Sequence, residues 1–405
     1  WYPDFCSYDN VCIANSLLSV CQKENCKSMR ILFLTENYPP RRGGMAQACD
    51  RIVAGLRRNG IPTDVAFFNS SAYNFKVTSQ LNGKLIAVPV SDSPAHNLNV
   101  LFNYITDPDN KLEYTHVAAF GGTAPILALP IYKAWLGIKG ITFLRGNDFD
   151  IGVFQPAKRQ ILFDALNASD AVCALSEDVR KKVVSLFPKA NVVHIPNGID
   201  IDNWELDSSD IDAAKEFRKQ NGISEDKLLI GLFGQLKEKK GVVFFLENLI
   251  RTGLQDKISF LMVGDVEEAV QNWINEHLAM EDNRLQIIQL PFMDRFELLS
   301  KYPACDFIAL PSHYDGMPNV LLEAGALGIP AIAARTGGIF EVLPTEQHCL
   351  TFHPGNADQC RKALNIAADM TASQRKAIGE ALKLHIRQNF NQEKESLAYR
   401  ELVKG

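Results

Sequence analysis

Two carboxylates flank a Gly-x-Pro turn in the stretch PSHYDGMPNVLLEAGALGIPAIAARTGG, residues 311–338. Asp315 comes just before the turn, where it can accept hydrogen bonds from hydroxyl groups. Glu323 follows in an apolar segment, where an unpaired carboxylate is costly to bury. A carboxylate in such a place commonly binds a pair of hydroxyls, such as the cis-diol of a ribose. The structural alternative is that Asp315 only forms a turn and that Glu323 is a partnered buried acid.

The same stretch predicts a helix whose first turn faces a ligand. Pro318 suits the first turn of a helix and Gly328 suits its end, so we expect a helix from about residue 318 to 327. The segment is apolar almost all round, which predicts burial and leaves its first N–H groups facing a crevice, where they favour an anion. Gly316 allows close approach of the backbone. With the two acids, this pattern suits a phosphate flanked by polyols, as in a nucleotide sugar.

A lysine-rich turn is a second candidate site for an anion. In GLFGQLKEKKG, residues 231–241, a strand ends at Gly234 and is followed by Lys237, Lys239 and Lys240. An ammonium group close to a diphosphate would stabilise the bound ligand and the charge on a departing phosphate. Taken alone, the pattern is more typical of an exposed basic loop.

The glycine pair Gly43-Gly44 in NYPPRRGGMAQ is a third feature, and it lies between the first strand and the first helix. The pair allows the backbone to come close to a phosphate or a sugar. It is not a GxGxxG dinucleotide fingerprint, and the sequence contains no P-loop, HExxH or GxSxG motif. The chemistry therefore rests on the acids, the lysines and the glycine-rich loops.

Short apolar segments alternate with helical segments from Met29 onward. One series runs through RILFLT, TDVAFF, HVAAF, GITFL, AVCAL and VVHIP, and a second through LLIGLFG, ISFLMVG, LQIIQL, DFIALP and PAIAAR. Turn residues bound each segment, as they do in buried parallel strands. Two series in a chain of 405 residues predict an α/β protein with two doubly wound sheets. The ligand crevice is expected at the carboxyl ends of the strands.

Composition narrows the class of protein. A hydrophobic content of 46% and a charged content of 22% are typical of a soluble globular protein, and a net charge of −5 argues against broad nucleic-acid binding. No apolar run approaches the ~20 residues that a membrane-spanning helix needs. None of the nine cysteines has the spacing of a zinc site. We expect a cytoplasmic protein, with peripheral contact to the cytoplasmic face of a membrane left open.

The chain from about Met29 to the C-terminus resembles the retaining glycosyltransferases of family four, the group 1 glycosyl transferases. The resemblance rests on PPRRGG, on IPNGIDIDNW, on GQLKEKKG and, most specifically, on PSHYDGMPNVLLEAGALGIPAIAARTGGIFEVL. It implies the GT-B fold, in which two Rossmann-like doubly wound domains face a central cleft. The N-terminal domain would bind the acceptor and the C-terminal domain the nucleotide sugar.

On this basis we predict four segments. Residues 1–28 are expected to be an extension outside the fold, with a disulfide-bearing cap as the alternative reading of its four cysteines. Residues 29–205 form the acceptor domain and residues 206–385 the donor domain. Residues 386–405 are expected to form a helix that packs back on the N-terminal domain, so that closure couples the two halves.

The resemblance also assigns roles to individual residues. Glu323 would hold the ribose, Asp315 would face the donor sugar, and Lys240 would bind phosphate. The expected donor-binding residues are Gly43, Gly44, Gln235, Lys240, Gly316, Met317, Pro318, Asn319, Val320, Leu321 and Glu323, and the expected catalytic residues are Asp315, Arg145 and Lys240. The nucleotide-diphosphate sugar is a co-substrate, and neither a cofactor nor a metal is expected.

Three positions depart from the family pattern. The family usually has Glu where Asp315 stands, so that this carboxylate is one methylene shorter. It usually has Arg at the position of Gln235, so the glutamine removes a charged, forked donor beside the diphosphate, for which Lys237 or Lys239 is one candidate substitute. Arg145 falls where many members carry a histidine that faces the donor, and we hypothesise that Arg145 binds phosphate and restores the charge missing at Gln235.

The sequence therefore predicts transfer of a hexose from a nucleotide-diphosphate sugar to a hydroxyl acceptor. The acceptor would be a carbohydrate, a lipid-linked molecule or a small molecule, in surface polysaccharide or glycoconjugate assembly. The three departures leave a second hypothesis, a non-catalytic relative that binds a nucleotide sugar as a scaffold or partner subunit. A GT-B enzyme of different chemistry, such as a sugar-nucleotide epimerase, is a third and weaker one.

Overall fold

The first of two parallel sheets is built mainly from the short apolar segments of the N-terminal half. The computed structural model describes residues 29–405 except Ser71, Tyr73, Asp92, Gly146, Asn147 and 281–283, so the predicted extension over 1–28 lies outside the described residues. The sheet has the strand order β3-β4-β2-β1-β5-β6-β7-β8, and only β3 is antiparallel to its neighbour. Its strands are β1 (Ile31–Thr35), β2 (Thr63–Asn69), β3 (Lys76–Gln80), β4 (Gly83–Pro89), β5 (His116–Phe120), β6 (Lys139–Leu144), β7 (Ala171–Ala174) and β8 (Val192–His194).

The second sheet repeats this construction in the C-terminal half. Its strand order is β11-β10-β9-β12-β13-β14, and all its described pairings are parallel. Its strands are β9 (Leu228–Phe233), β10 (Ile258–Val263), β11 (Gln286–Leu290), β12 (Phe307–Leu310), β13 (Ala331–Ala334) and β14 (Thr351–Phe352).

Helices connect successive strands. In the N-terminal half they are α1 (Gly44–Arg58), α2 (Pro94–Thr106), α3 (Thr123–Leu136), α4 (Asp148–Gly152), α5 (Pro156–Ala168) and α6 (Glu177–Leu186). In the C-terminal half they are α7 (Ser208–Gln220), α8 (Val242–Thr252), α9 (Glu268–Leu278), α10 (Arg295–Leu299), α11 (Asn319–Ala326), α12 (Ile339–Val342), α13 (Ala357–Asp369), α14 (Ala372–Asn389) and α15 (Gln392–Lys404).

The central strands are buried along their whole length. Every residue of β1, β5, β9 and β10 is buried, because helices cover both faces of each sheet. This explains why these strands read as continuous apolar runs without alternation. The predicted fold class, an α/β protein with two Rossmann-like doubly wound sheets, is confirmed. Of the cysteines in the described part of the chain, Cys349 is exposed and the others are buried.

Two segments pass side by side between the halves of the molecule. After β8, Ile199 donates its N–H to the carbonyl of Phe390 at 2.8 Å, and its carbonyl accepts from the N–H of Gln392 at 3.0 Å. Gly198 lies so close to this second segment that an added Cβ would stand 2.6 Å from the backbone oxygen of Asn391. The crossing segments therefore require a residue without a side chain at Gly198.

The last two helices belong to different cores. Leu382 and Ile386 of α14 pack in the core cluster of the second sheet. Tyr399 and Val403 of α15 pack in the cluster that contains β1 and α1. The chain changes sides between Asn389 and Gln392, so that the predicted boundary at 385/386 falls inside α14.

An acid of the C-terminal half caps a helix of the N-terminal half. The carboxylate of Glu341 accepts hydrogen bonds from the N–H groups of Glu177 at 3.1 Å and Asp178 at 3.2 Å. These are the first two residues of α6, whose initial N–H groups have no partner within the helix. Glu341 thus adds a polar contact between the two halves.

Replacing Gly198 by alanine should separate the crossing segments. The added methyl group meets backbone atoms that cannot rotate away, so we expect a loss of about 2–3 kcal/mol in stability from overpacking and weakened hydrogen bonds. A urea denaturation series measures this. The control is Gly222→Ala. Gly222 has a positive φ of 65° and a Cβ there meets open space, so this substitution should lower the free energy of unfolding by only about 1 kcal/mol. Equal midpoints for the two variants would contradict the steric argument.

Candidate active site

A cleft of about 830 Å³ is lined by residues of both halves of the chain. The strand order reverses at β1 in the first sheet and at β9 in the second, and ligands bind open parallel sheets at the carboxyl ends of the strands beside such a reversal. The loops after β1, β9 and β12 all reach this cleft. Its volume falls in the range of about 300–1,000 Å³ that is usual for ligand sites.

The loop after β12 forms one wall and leads into α11. This helix begins at Asn319 and ends at Ala326, within one residue of the predicted bounds at either end. Pro318 precedes it, and no side chain caps its first turn. The unpaired N–H groups of this turn therefore make an anion site at the edge of the cleft. The predicted residues that line the cleft here are Gly316, Met317, Pro318, Asn319 and Val320.

Leu321 is the exception in this loop. Its side chain is fully buried in the core of the second sheet. Its N–H is already engaged, since it donates to the carbonyl of Pro318 at 3.1 Å. The structure thus places the side chain of Leu321 under the loop and its N–H in the first turn of the helix, away from the cleft lining. The periodicity of an apolar helix does not separate such a residue from its neighbours.

Glu323 lies half-buried at the wall of the cleft. The hydroxyl of Tyr302 donates to its Oε2 at 2.7 Å, and the ring of Tyr302 stacks on that of Phe233 with centroids 4.3 Å apart. Burial raises the pKa of the Glu323 carboxyl to about 6, while the Tyr302 hydrogen bond and the charge of Arg51 act in the opposite direction. The carboxylate is held at one oxygen in a partly dehydrated setting, which suits it to accept hydrogen bonds from a ligand.

Lys240 and Asp315 form an ion pair with each other. The ammonium group of Lys240 donates to Asp315 Oδ2, and the N–H of Gly316 donates to Oδ1 at 2.9 Å. Both side chains are about three-quarters or more buried. The two groups that the sequence assigned separately to phosphate and sugar therefore neutralise one another in the structure. Lys239 is also nearby, and burial lowers the pKa of its ammonium group.

The glycine after Lys240 explains how the two loops come together. Gly241 has a φ of 68°, and a Cβ there would stand 2.1 Å from the backbone oxygen of Pro311. The N–H of His313 donates to the carbonyl of Lys239 at 2.9 Å. The loops after β9 and β12 are thus locked at backbone distance, which sets Lys240 beside Asp315.

The N-terminal half forms the opposite wall through the start of α1. Gly43 precedes this helix with a φ of 113° and no side-chain cap, so that a second helix N-terminus faces the cleft. A Cβ on Gly44 would lie 3.8 Å from Asn319 Nδ2. The same Nδ2 donates to Gln47 Oε1 of α1 at 3.1 Å. The two helix starts are therefore neighbours across the cleft.

Arg145 and Gln235 both line the cleft but differ in how much of each side chain is exposed. Gln235 is exposed and lines the cleft after β9. Arg145 lines it too, but its side chain is only 2% exposed. Its guanidinium donates to Asn197 Oδ1 and, at 3.1 Å, to the hydroxyl of Tyr399. Among the described residues Nε of Arg145 has no hydrogen-bond partner, and this atom is buried below the surface of the cleft.

Three residues in the site were not singled out from the sequence. Asn197 accepts hydrogen bonds from both Arg51 and Arg145, and Tyr302 supports Glu323 as described above. Asn197 stands in IPNGIDIDNW, where the sequence is most simply interpreted as a turn at the hinge. Arg51 lies inside an ordinary helical pattern and Tyr302 begins a short 3-10 turn before β12, and nothing in their spacing indicates a site.

The described residues contain no cluster of three or more His, Cys, Asp or Glu side chains placed to hold a metal ion. Among the same residues, no helix combines the length and apolar character needed to cross a bilayer. The cleft lining instead combines the first turns of two helices with three lysines, Lys237, Lys239 and Lys240, and with carboxylates that include Asp315 and Glu323.

Solved structures with the same architecture define the class of fold. The chain aligns with sucrose-phosphate synthase from Thermosynechococcus elongatus over 93% of its length and 98% of that chain, at 16% identity and a TM-score of 0.74. It aligns with HepE from Anabaena, solved in complex with UDP-glucose, over 93% and 99% of the two chains, at 18% identity and a TM-score of 0.68. These structures share the GT-B architecture, which the sequence predicted.

Family models then match most of the chain. The model for glycosyl transferases group 1 matches residues 213–384, and the model for glycosyltransferase family 4 matches residues 42–203. An uncharacterized glycosyltransferase from Methanocaldococcus jannaschii is 23% identical over 82% of this chain and 86% of its own length. A GDP-mannose-dependent alpha-(1-6)-phosphatidylinositol monomannoside mannosyltransferase from Mycolicibacterium smegmatis is 24% identical over 77% and 82%. The chain belongs to the family-four glycosyltransferases, as its motifs predicted.

The raised pKa of Glu323 predicts a pH-dependent gain in stability when the charge is removed. Below about pH 4.5 the carboxyl is protonated in both the folded and unfolded states; above about pH 6 ionisation disfavours the folded state. Glu323→Gln should therefore raise stability by roughly 1–2 kcal/mol at about pH 7.5, and the gain should vanish as the pH falls.

Thermal melting of the wild type and of Glu323→Gln at about pH 7.5 and about pH 4.5 measures this gain. The control is Glu276→Gln on the exposed face of α9, which should leave the melting temperature unchanged at either pH. A gain for Glu323→Gln that is independent of pH, or a loss at the higher pH, would show that burial of the charge is not the cause.

Proposed function

We propose that this protein is a retaining glycosyltransferase that moves a hexose from a nucleotide-diphosphate sugar to a hydroxyl acceptor. The observation that carries the proposal is the pairing of Lys240 with Asp315 beside the start of α11, in one cleft with Glu323. An anion site between two carboxylates matches a ligand with a diphosphate between two polyols. Few other ligand classes use all of these groups together.

The donor would lie along the wall formed by the C-terminal half. Glu323 accepts hydrogen bonds from the ribose hydroxyls, and the first N–H groups of α11 bind the diphosphate. The start of α1 approaches the same phosphates from the other side, since Gly44 adjoins Asn319. Arg145 lines the same cleft, but its unpartnered Nε is buried, so contact between Arg145 and phosphate requires the side chains that cover this atom to move.

Donor binding must rearrange the Lys240–Asp315 pair. A diphosphate carries more charge than one carboxylate, so it attracts the ammonium group of Lys240 and releases Asp315 Oδ2 for the hydroxyls of the sugar. The shorter side chain of Asp315 is compatible with this exchange, because the two side chains already meet in the loop. The pair also limits the cost of burying either charge before the donor arrives.

In the proposed reaction, the acceptor hydroxyl attacks the anomeric carbon on the face from which the diphosphate departs. The bond from the anomeric carbon to the diphosphate oxygen breaks, the bond to the acceptor oxygen forms, and the acceptor proton passes to the leaving phosphate. Lys240 and the helix N–H groups stabilise the charge that develops on that phosphate. This route retains the configuration and needs neither a protein nucleophile nor a metal ion.

The ligands named for two similar proteins support a nucleotide-sugar donor. One relative is named as GDP-mannose-dependent, and HepE was solved with UDP-glucose. We extend this to a nucleotide-diphosphate hexose for the present chain. A carbohydrate or lipid-linked acceptor in surface polysaccharide or glycoconjugate synthesis, with the enzyme at the cytoplasmic face of a membrane, completes the proposal.

A non-catalytic role is the second candidate, and a specific observation favours it. Gln235 replaces an arginine expected beside the diphosphate, and two nitrogens of the Arg145 guanidinium are already bound to protein groups. Both facts reduce the positive charge available to a leaving diphosphate. A scaffold that binds nucleotide sugars without turnover would tolerate them.

Donor binding should raise the melting temperature of the wild type. A panel of UDP-, GDP- and ADP-linked hexoses is expected to include at least one that stabilises the fold by roughly 2.7 kcal/mol at a hundredfold excess over its Kd. Glu323→Ala should abolish that shift, while Glu276→Ala should keep it. No shift with any donor would refute nucleotide-sugar binding.

Turnover separates the two candidates. The enzyme should release nucleoside diphosphate slowly from its donor even without an acceptor, with water taking the place of the acceptor. Lys240→Met should lower this rate by about a hundredfold, as expected for removal of a group that stabilises transition-state charge. Binding without any release, by wild type as well as by the variant, would establish the scaffold.

A further inference from the structure

We propose that Asn197 is a positioning residue for the donor loop, an inference that rests on the proposed donor site. Its side-chain amide joins the carbonyl of Met317, in the loop that precedes α11, to two arginines of the N-terminal half. Through this link the docking of the two halves sets the direction in which the first turn of α11 faces the cleft.

The contacts of Asn197 run to both sides of the cleft. Its side chain belongs to a residue only 4% exposed. Oδ1 accepts from Arg51 Nη2 at 2.9 Å and from the guanidinium of Arg145. Nδ2 donates to the carbonyl of Met317 at 2.9 Å and approaches Oδ1 of Asn319 at 3.4 Å. One amide therefore bridges the two halves of the molecule.

These partners fix the orientation of the amide. A guanidinium can only donate hydrogen bonds and a backbone carbonyl can only accept them. The oxygen of Asn197 must therefore face the arginines and its nitrogen must face Met317. An aspartate of the same shape would keep the first contact and lose the second, because a carboxylate has no donor for the carbonyl.

The two arginines are themselves held in place by the last helix. Arg51 donates to both carboxylate oxygens of Glu395, at 2.6 and 3.1 Å, and Arg145 donates to the hydroxyl of Tyr399. Arg145 also lies over the ring of Phe120 at 5.5 Å. Asn197 is thus anchored to a rigid frame of α1, the end of β6 and α15, and it transmits the position of that frame to the loop.

The backbone next to Met317 is also held from within its own half. The carbonyl of Gly316 accepts from the N–H of Gly338 at 2.6 Å, and the next carbonyl, that of Met317, is the one held by Asn197. Met317 is followed by Pro318, which has no N–H to fix the chain at the entry to α11. Without Asn197, the peptide before the helix is held on one side only.

The test replaces Asn197 by aspartate and compares it with a matched control. Asn248 in α8 is also buried, at 3% exposed. Its Nδ2 donates to the carbonyl of Phe244 at 2.8 Å, and its Oδ1 accepts from Arg361 at 2.9 Å. Asn248 does not line the cleft. Asn248→Asp therefore imposes the same chemical change at a site without a link to the donor loop.

Two measurements are made on both variants and on the wild type. Calorimetry is done with uridine, guanosine and adenosine diphosphates. For whichever of them the wild type binds, Asn197→Asp should bind roughly tenfold more weakly, the cost of one lost buried hydrogen bond, and Asn248→Asp should bind as the wild type does. Hydrogen exchange should be faster in the segment 316–326 of Asn197→Asp only, with β9 unchanged. A role confined to stability would instead lower the melting temperature and leave binding and local exchange as in the wild type.

The outcomes separate this inference from the proposed function. If the wild type binds none of the three nucleotides, donor binding is refuted, and the exchange comparison alone still decides whether Asn197 holds the loop. If the wild type binds and Asn197→Asp matches it in both binding and exchange, the positioning role is overturned while the donor site stands.

A second variant covers the case in which Asn197→Asp melts well below Asn248→Asp. Tyr399→Phe removes only the hydroxyl that accepts from Arg145 and keeps the ring in its core. It loosens the frame behind Asn197, so nucleotide binding should weaken by about threefold and exchange in 316–326 should rise to a smaller degree. Unchanged binding and exchange in this variant would overturn the proposal.

Discussion

Unpaired N–H groups at the starts of α1 and α11 face one cleft from opposite halves of the molecule, and the rest of the site follows from them. Such groups need a partner, and an anion is the best one available. The strand reversals at β1 and β9 put both helix starts at the carboxyl ends of their sheets. A diphosphate between the halves would satisfy both, and the acids on either side are then placed for the sugars attached to it.

The Lys240–Asp315 pair shows how the cleft holds charge before a ligand arrives. A buried ammonium or carboxylate without a partner is costly, whereas a pair in contact limits the penalty. The backbone lock between the loops, through Gly241 and His313, keeps the pair in register. When an anion of higher charge binds Lys240, the groups of this pair become the donor-binding groups of the proposed site. Glu323 illustrates the opposite case, since burial of its ionised carboxyl lowers the stability of the fold above about pH 6.

Within the described residues, several polar side chains connect the two halves. Asn197 reaches Met317, Asn319 reaches Gln47, and Glu341 caps α6. Glu395 and Tyr399 of α15 contact the arginines that hold Asn197. The packing of α15 on the N-terminal half therefore contributes to the position of the donor loop. The link between domain docking and ligand geometry is therefore built from hydrogen bonds whose directions are fixed by donor and acceptor type.

The sequence by itself determined the two βα series, the helix after the Gly-x-Pro turn and the family, because burial on both faces of a parallel sheet forces continuous apolar runs and helix ends need particular residues. It also indicated Glu323, Asp315, Lys240 and the two glycines as site residues, because they lie in the loops and first helix turns that follow the carboxyl ends of strands. Only the tertiary structure decided that Lys240 pairs with Asp315, that Leu321 turns into the core, and that Arg145 is tied to Asn197. These facts depend on contacts between residues 52 or more positions apart, and no local pattern encodes the distance between two loops brought together by different strands.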